Sequence, residues 1–173
     1  YYNRVSDKIV AVPAANLFRW TMMNIGLARI HGLDATAQAE ARMRELTLDV
    51  KVAYTYQRAK DCSDRQSRYY DGQIPYIPRH SVSVVAGAEW RGWALNYSFL
   101  YTGERYDASA NIAANYIHPW QTHDASILRN IHAGKVELTA MLTVNNIFNS
   151  QYEVIRCYPM PGRNFKITVA ANL

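Results

Sequence analysis

Leu46-Thr47-Leu48-Asp49-Val50-Lys51-Val52-Ala53-Tyr54-Thr55-Tyr56 decides the fold. Its even-numbered members are all apolar or aromatic, and its odd-numbered members are Thr, Asp, Lys and Ala. Successive side chains of a strand point to opposite faces, so the stretch reads as a strand with one apolar and one polar face. The alternation recurs on both sides. Upstream, Leu33, Ala35, Ala37, Ala39 and Ala41 oppose Asp34, Thr36, Gln38, Glu40 and Arg42. Downstream, His80, Val82, Val84, Ala86, Ala88 and Trp90 share one parity, as do Trp93, Leu95, Tyr97, Phe99 and Tyr101. Val136, Leu138, Ala140, Leu142 and Val144 follow, and Phe165, Ile167, Val169, Ala171 and Leu173 end the chain. Fainter segments near 1–12 and 119–131 bring the expectation to eight strands.

The connections alternate in length. Short turns are predicted near Arg42 to Glu45, at Arg91-Gly92 and at His132 to Lys135, and long loops near 13–27, 60–78, 107–118 and 149–161. Tight turns on one side and long loops on the other are the habit of an outer-membrane barrel, whose strands alternate apolar-out with polar-in. A soluble antiparallel sandwich or lipocalin-like barrel alternates as well. Aromatic placement favours the membrane barrel. Trp90 and Trp93 flank a two-residue turn on the apolar parity, and Tyr54, Tyr56, Tyr101 and Phe148 approach the long loops on the same parity. Two belts of amphipathic rings are what the two membrane interfaces select. The opposite parity carries Asp34, Gln38, Glu40, Asp49, Lys51 and Glu137, which are costly in a dry core and at ease in a wet lumen. His123 and Arg129 share the apolar parity, so they are expected near the membrane edges.

Composition narrows the classes. The 173 residues are 49% apolar, with 13 Tyr and 4 Trp against 4 Phe, and no run approaches the length of a spanning helix. The net charge of +5 is spread along the chain without a Lys/Arg run, a zinc-finger spacing or an aromatic-basic RNA motif, which argues against nucleic acid as a partner. The five histidines show no metal-ligand spacing, and no nucleophile elbow or phosphate-binding glycine loop occurs. No metal, no cofactor and no enzymatic activity are therefore expected. The opening Tyr1-Tyr2-Asn3 carries no initiator Met or signal peptide and reads as a mature or cut piece.

Four further stretches carry a resemblance. They are Tyr2-Asn3-Arg4-Val5-Ser6-Asp7-Lys8-Ile9, Asn24-Ile25-Gly26-Leu27-Ala28-Arg29-Ile30-His31-Gly32-Leu33-Asp34, Tyr101-Thr102-Gly103-Glu104-Arg105-Tyr106-Asp107, and the closing hairpin. The last runs through Val144-Asn145-Asn146-Ile147-Phe148-Asn149, Gln151-Tyr152-Glu153 and Tyr158-Pro159-Met160-Pro161-Gly162-Arg163-Asn164-Phe165. Together, and in this order, they resemble the C-terminal part of the barrel of a TonB-dependent outer-membrane receptor. The likeness is strongest to cobalamin and catecholate-siderophore receptors, with a Bacteroidetes flavour in Pro159-Met160-Pro161-Gly162-Arg163. The resemblance implies that residues 1–173 are the last eight strands of a roughly 22-stranded all-β antiparallel transmembrane β-barrel with a plugged lumen, in the cell outer membrane of a Gram-negative bacterium. It implies import of cobalamin or a ferric siderophore, with this segment giving barrel wall and some extracellular loops. The implied partners are the remaining strands and plug, the TonB complex acting through that plug, the lipid bilayer and, optionally, a surface lipoprotein. Leu173 departs from the family's usual aromatic terminus.

Loop residues are the ligand-contact candidates. Tyr69, Tyr70, Tyr106, Tyr116, Trp120 and Tyr152 could stack on a flat ligand, and Arg68, Arg105 or Arg156 could pair with its anionic groups. The competing reading for each is girdle or loop packing. Cys62 and Cys157 both fall in long loops, where a disulfide would be compatible with an extracellular setting. Gly32 marks a close backbone approach or a bulge, and Pro159, Pro161 and Gly162 fix the loop entering the last strand. Two other readings stay open: a stand-alone eight-stranded barrel used for adhesion or envelope structure, and an outer-membrane hydrolase whose dyad meets only across strands.

The face assignment is testable in the intact protein in a bilayer. Val50→Arg puts a charge on the apolar face and is expected to cost about 2 to 4 kcal/mol of folding stability, whereas Thr47→Arg on the polar face should cost far less. Denaturant titration of the two variants reads the difference, and equal losses would reverse the faces.

Overall fold

Backbone pairing runs without interruption through eight antiparallel strands of the computed structural model, which describes residues 1–13, 19–134 and 136–172. In chain order the elements are β1 (Tyr2–Pro13), β2 (Trp20–Met43), β3 (Leu46–Asp61), β4 (His80–Trp90), β5 (Trp93–Thr102), β6 (Arg105–Tyr106), β7 (Tyr116–Ile117), β8 (Trp120–Ala133), β9 (Val136–Asn145), β10 (Glu153–Ile155), β11 (Tyr158–Pro159) and β12 (Asn164–Asn172). The main sheet has the order β1-β2-β3-β4-β5-β8-β9-β12, a meander in which each strand lies beside its neighbour in sequence. β6 with β7 and β10 with β11 form two small ribbons inside the long loops.

The register carries one parity from β2 to β12. Ala39 faces Val50, Val50 faces Ala86, Ala86 faces Tyr97 and Tyr97 faces Ala125, while Ala125 faces Val144 and Val144 faces Phe165. The apolar side chains named from the sequence therefore make one continuous face. The opposite face is laced by polar pairs: Asn96 donates to Ser126 at 3.4 Å, Ser98 to Asp124 at 3.4 Å, Thr139 to Asn130 at 2.9 Å and Asn145 to Asn164 at 2.8 Å.

Nothing among the described residues covers the apolar face. Leu95 is 52% exposed, Ile167 77% and Val169 70%, which a sandwich with a second sheet would not allow. β1 pairs with β2 alone and β12 with β9 alone, so the eight strands form an open wall with two edges and do not close on themselves as a small barrel. The small core lies elsewhere, at the long-loop end, where Ile25, Ala28, Ala59 and Ile74 pack with Val10, Met23, Ile30 and Ile77.

Several boundaries differ from expectation. The loop predicted over 13–27 is largely strand: β2 starts at Trp20, and Trp20 to Leu27 pair with Ser6 to Pro13. Alternation is obscured there because both parities carry apolar residues: Met23 and Ile25 pack into the small core against Ile74 and Ile77 of the 62–79 loop, while Trp20 and Met22 on the other parity are exposed. The two small ribbons had no sequence signal, since two- and three-residue strands are too short to show a period. Residues 14–18 of that loop, Lys135 of the last short turn and Leu173 at the end of the closing strand lie outside the described residues. The Arg91-Gly92 turn is as expected, with φ of 46° and 78°, the left-handed pair that a two-residue hairpin of matching twist requires.

Cys62 and Cys157 are free thiols, which corrects the proposed disulfide. Cys62 is buried at the end of β3, with its N–H donating to the Leu27 carbonyl at 2.8 Å, and Cys157 is exposed in the β10–β11 turn after β9. Between β3 and β9 the sheet interposes β4, β5 and β8. At about 4.8 Å per strand that spacing is beyond the reach of an S–S bond.

Gly32 is a close approach. Its N–H donates to the Tyr1 carbonyl at 3.1 Å, and a Cβ there would collide with the Tyr56 carbonyl oxygen and the Tyr1 phenol. Gly32→Val should cost about 1 to 3 kcal/mol, because the obstacle is backbone. Chemical unfolding of the intact protein measures it, and an unchanged midpoint would show that the β2–β3 ladder relaxes freely.

Candidate functional site

The long-loop end of the wall gathers the side chains that have chemistry to offer. Loop 62–79 folds back along β3, with the Asp61 N–H donating to the Gly72 carbonyl at 2.9 Å and the Ile74 N–H to the Ala59 carbonyl at 3.0 Å. Lys60 clasps Asp71 in an ion pair. The hydrogen bond from that ammonium holds the Asp71 carboxyl below the usual carboxylate range, against the opposing effect of burial. The stabilisation is thus present at neutral pH and lost as pH falls through the lowered value; with Asp71 half exposed, it is small.

Asn111 ties this loop to the next. Its Oδ1 accepts from the Gln73 N–H, and its Nδ2 donates to the Gln73 carbonyl at 3.2 Å. Beside that link is a cleft of about 380 Å³ lined by Arg68, Tyr69, Tyr70, Gly72, Ser109, Ala110, Asn111 and Ile112. The Arg68 guanidinium lies 4.9 Å above the Tyr69 ring. Three predicted residues, Arg68, Tyr69 and Tyr70, are brought together here.

A second cleft, about 410 Å³, lies between β7 and the β10–β11 ribbon. Tyr116, His118, Trp120, Tyr152, Glu153 and Arg156 are among its lining residues. Trp120 and Tyr152 lie ring to ring at 4.5 Å, and Tyr116 meets His118 edge-on at 5.0 Å. Burial, and after it the Asp124 carboxylate, raises the Tyr152 phenol above its ordinary value, so it is a neutral donor. Four predicted residues, Tyr116, Trp120, Tyr152 and Arg156, meet in this cleft.

Arg105 and Tyr106 play a different part. Arg105 is 2% exposed and donates through Nη2 to the carbonyls of Glu153 and Val154 at 2.8 and 2.9 Å, fastening one long loop to another. Arg156 completes the fastening: its Nη1 donates to Asp107 Oδ2 at 2.7 Å and to the Ala114 carbonyl at 2.6 Å. The Tyr106 carbonyl accepts from the Tyr76 N–H at 2.8 Å, which brings in the third loop. Tyr76, Asp107, Asn111 and Glu153 were not singled out by sequence. Asp107 sits in the Gly103-Glu104-Arg105-Tyr106-Asp107 stretch, but its partner is 49 positions away, beyond any local spacing rule.

The girdle candidates divide between the two ends. Trp90 and Trp93 face each other beside the Arg91-Gly92 turn, 51% and 43% exposed. At the other end the Tyr54 hydroxyl lies 2.9 Å from His80 Nδ1, and the Tyr56 ring lies 5.2 Å from the same imidazole. Phe148 meets His123 edge-on at 4.7 Å, and Tyr101 is half-buried on the same parity. No group of three or more potential metal ligands occurs among the described residues.

Comparison with known proteins follows the same lines. Residues 1–147 match the family model described as "TonB dependent receptor-like, beta-barrel". Among solved structures, the ferric citrate transporter FecA in its unliganded form superposes with a TM-score of 0.70 at 16% identity, over 84% of this chain and 24% of that one. BauA, the ferric preacinetobactin receptor from Acinetobacter baumannii, gives 0.70 at 12% identity over 98% and 25%. Fiu, the ferric-catecholate import receptor from K12 E. coli, gives 0.68 at 15% identity over 98% and 24%. The chain thus spans about a quarter of the length of the structures it matches.

Arg105→Met leaves two loop carbonyls without their donor and should loosen the 146–163 loop by about 1 to 3 kcal/mol while the strands hold. Hydrogen exchange reads this as faster exchange confined to the loop end, and protection unchanged there would deny Arg105 its fastening role.

Proposed function

The chain belongs to the TonB-dependent receptor β-barrel family, and from that premise we propose that it is the C-terminal eight-strand wall of an outer-membrane transporter importing a ferric siderophore. The family consists of receptors and transporters of the Gram-negative outer membrane, not enzymes, and the antiparallel sheet is a portion of such a barrel. In the intact receptor, of roughly 22 strands, residues 1–173 would contribute wall and ligand-facing loops. Energy coupling would belong to the plug and to TonB, and a surface lipoprotein could sit over the same loops.

The carrying observation is the Arg68-Tyr69-Tyr70 cleft. A guanidinium stacked over a phenol, with a second phenol beside it, suits a flat anionic chelate: the rings take its faces and the cation its charge. The aromatic cleft of Trp120 and Tyr152 extends the surface. Several structural neighbours are named for ferric chelates, which supports the same class. Cobalamin, the other cargo suggested by the family, would use the rings and leave the charge of Arg68 idle.

The test uses the intact receptor as the sole uptake route in an iron-limited cell, offered ferric citrate, a ferric catecholate or cyanocobalamin. A ferric chelate should be taken up, and Arg68→Ala or Tyr69→Ala should each weaken its binding by about tenfold. Uptake of cyanocobalamin alone would reverse the assignment, and full affinity in both variants would remove the cleft from the ligand path.

A further inference from the structure

The short-turn end of the wall has chemistry that the proposed uptake does not use. Arg129 shares the apolar face with Trp93, the residue directly opposite it on β5. Its guanidinium lies 4.9 Å from the Trp93 ring, and Nη1 donates to the Arg91 carbonyl at 2.6 Å. That is one bond from a group with five N–H donors. Among the described residues no carboxylate stands within ion-pair reach of Arg129. The carboxylates nearby are committed or turned away. Glu45 pairs with Arg91, Glu40 pairs with Arg42, and Glu89 falls on the polar parity opposite Thr47 and Ala94.

An uncompensated guanidinium on a lipid-facing surface is tolerated only at the level of the headgroups. Trp90 and Trp93 set that level, since indoles prefer the membrane interface, and both are exposed on the apolar face. Arg91 lies over Trp90 at 5.4 Å, so the hairpin tip presents two indoles, each with a cation at its face. Counting exposed Arg44, the tip carries Arg44, Arg91 and Arg129 against Glu45 and Glu89, and Glu89 stands on the polar face. A planar fork beside an interfacial indole, with positive charge in excess, matches a phosphate that arrives with an acyl chain attached.

We propose that Arg129, with Trp93 and the Arg91-Gly92 turn, forms a binding site for the headgroup phosphate of an acidic phospholipid in the leaflet on the short-turn side. The site rests on the membrane reading of the apolar face. The acyl chains lie along Leu95, Ile127 and Leu142, neighbours on that face, and the phosphate accepts from the free edge of the Arg129 fork.

Native mass spectrometry of the intact receptor, titrated with phosphatidylglycerol or with the phosphate-free digalactosyl diacylglycerol, tests this. The wild type should retain phosphatidylglycerol about tenfold more tightly than the galactolipid. Arg129→Gln should bring the two lipids level, and Arg129→Lys should keep part of the preference as a point charge without the fork. Equal retention of both lipids by the wild type, or an undiminished preference in Arg129→Gln, would overturn the site. Failure of the membrane reading looks different: Trp90 and Trp93 in the reconstituted wild type would stay fully open to an aqueous quencher. In that case the headgroup site falls with it.

Discussion

The constraint on which everything else rests is backbone hydrogen bonding in a medium without water. A strand that crosses hydrocarbon must find its partners in adjacent strands, because each unmet amide or carbonyl there costs several kcal/mol. The meander answers that demand with the simplest connectivity, each wall strand pairing with the next wall strand in sequence from β1 to β12. A slip of one residue would exchange the two faces of a strand. Constant register from β2 through β12 is therefore what turns eight alternating segments into one apolar face and one polar face. The two edges, β1 and β12, leave backbone groups that the wall of the proposed larger barrel would pair.

The two ends of that wall solve different problems. At the short-turn end the chain reverses in the least space, and the Arg91-Gly92 turn adopts left-handed φ values that match the twist of β4 and β5. At the long-loop end the strands run on past the sheet, and the backbone leaves the ladder. There its polar groups are satisfied by Asn111, Arg105 and Arg156, which fasten loop to loop through carbonyls and a carboxylate. Rigid strands thus hold loops that are fixed relative to one another, the arrangement in which a recognition surface is most precise.

This division explains what the sequence made legible. Wherever one parity meets lipid and the other a wet lumen, composition alternates, and the strands from Leu33 onward could be placed to within a few residues. Alternation fails where both parities carry apolar residues, as in Trp20 to Leu27, where Met23 and Ile25 pack into the small core while Met22 on the other parity is exposed, and there strand reads as loop. Gly32 was legible as a position without room, because the requirement is local. The clefts were legible only as residue types. Arg68, Tyr69 and Tyr70 are contiguous and came together, as did Tyr116, Trp120, Tyr152 and Arg156. Arg105, equally plausible as a ligand contact, is instead spent on the Glu153 and Val154 carbonyls. Nothing in a linear pattern reports a bond between residues 49 apart. The proposed disulfide failed for the same reason: two cysteines in loops on one side are not neighbours when β4, β5 and β8 stand between.

The distribution of unmet polar groups adds a last step. Buried polar atoms are nearly always paired, and each exception carries a penalty that folding must absorb. Among the described residues the unpaired buried atoms are Tyr76 Oη, Arg105 Nη1, Asp107 Oδ1, Trp120 Nε1 and Thr168 Oγ1. Four of the five lie at the long-loop end, and Thr168 alone belongs to the body of a wall strand. Tyr76, Arg105 and Asp107 sit where three loops converge, with one guanidinium nitrogen, a carboxylate oxygen and a phenol left over after the loops have been fastened. Burial pushes the Tyr76 phenol up, and the neighbouring Asp107 carboxylate pushes it further, so it stays protonated as a donor. A wall that pairs its backbone so completely leaves most of its side-chain deficits where the loops converge. The residual polar demand of this chain is thus concentrated at the end where a ligand-facing surface is proposed, with Thr168 the exception in the wall.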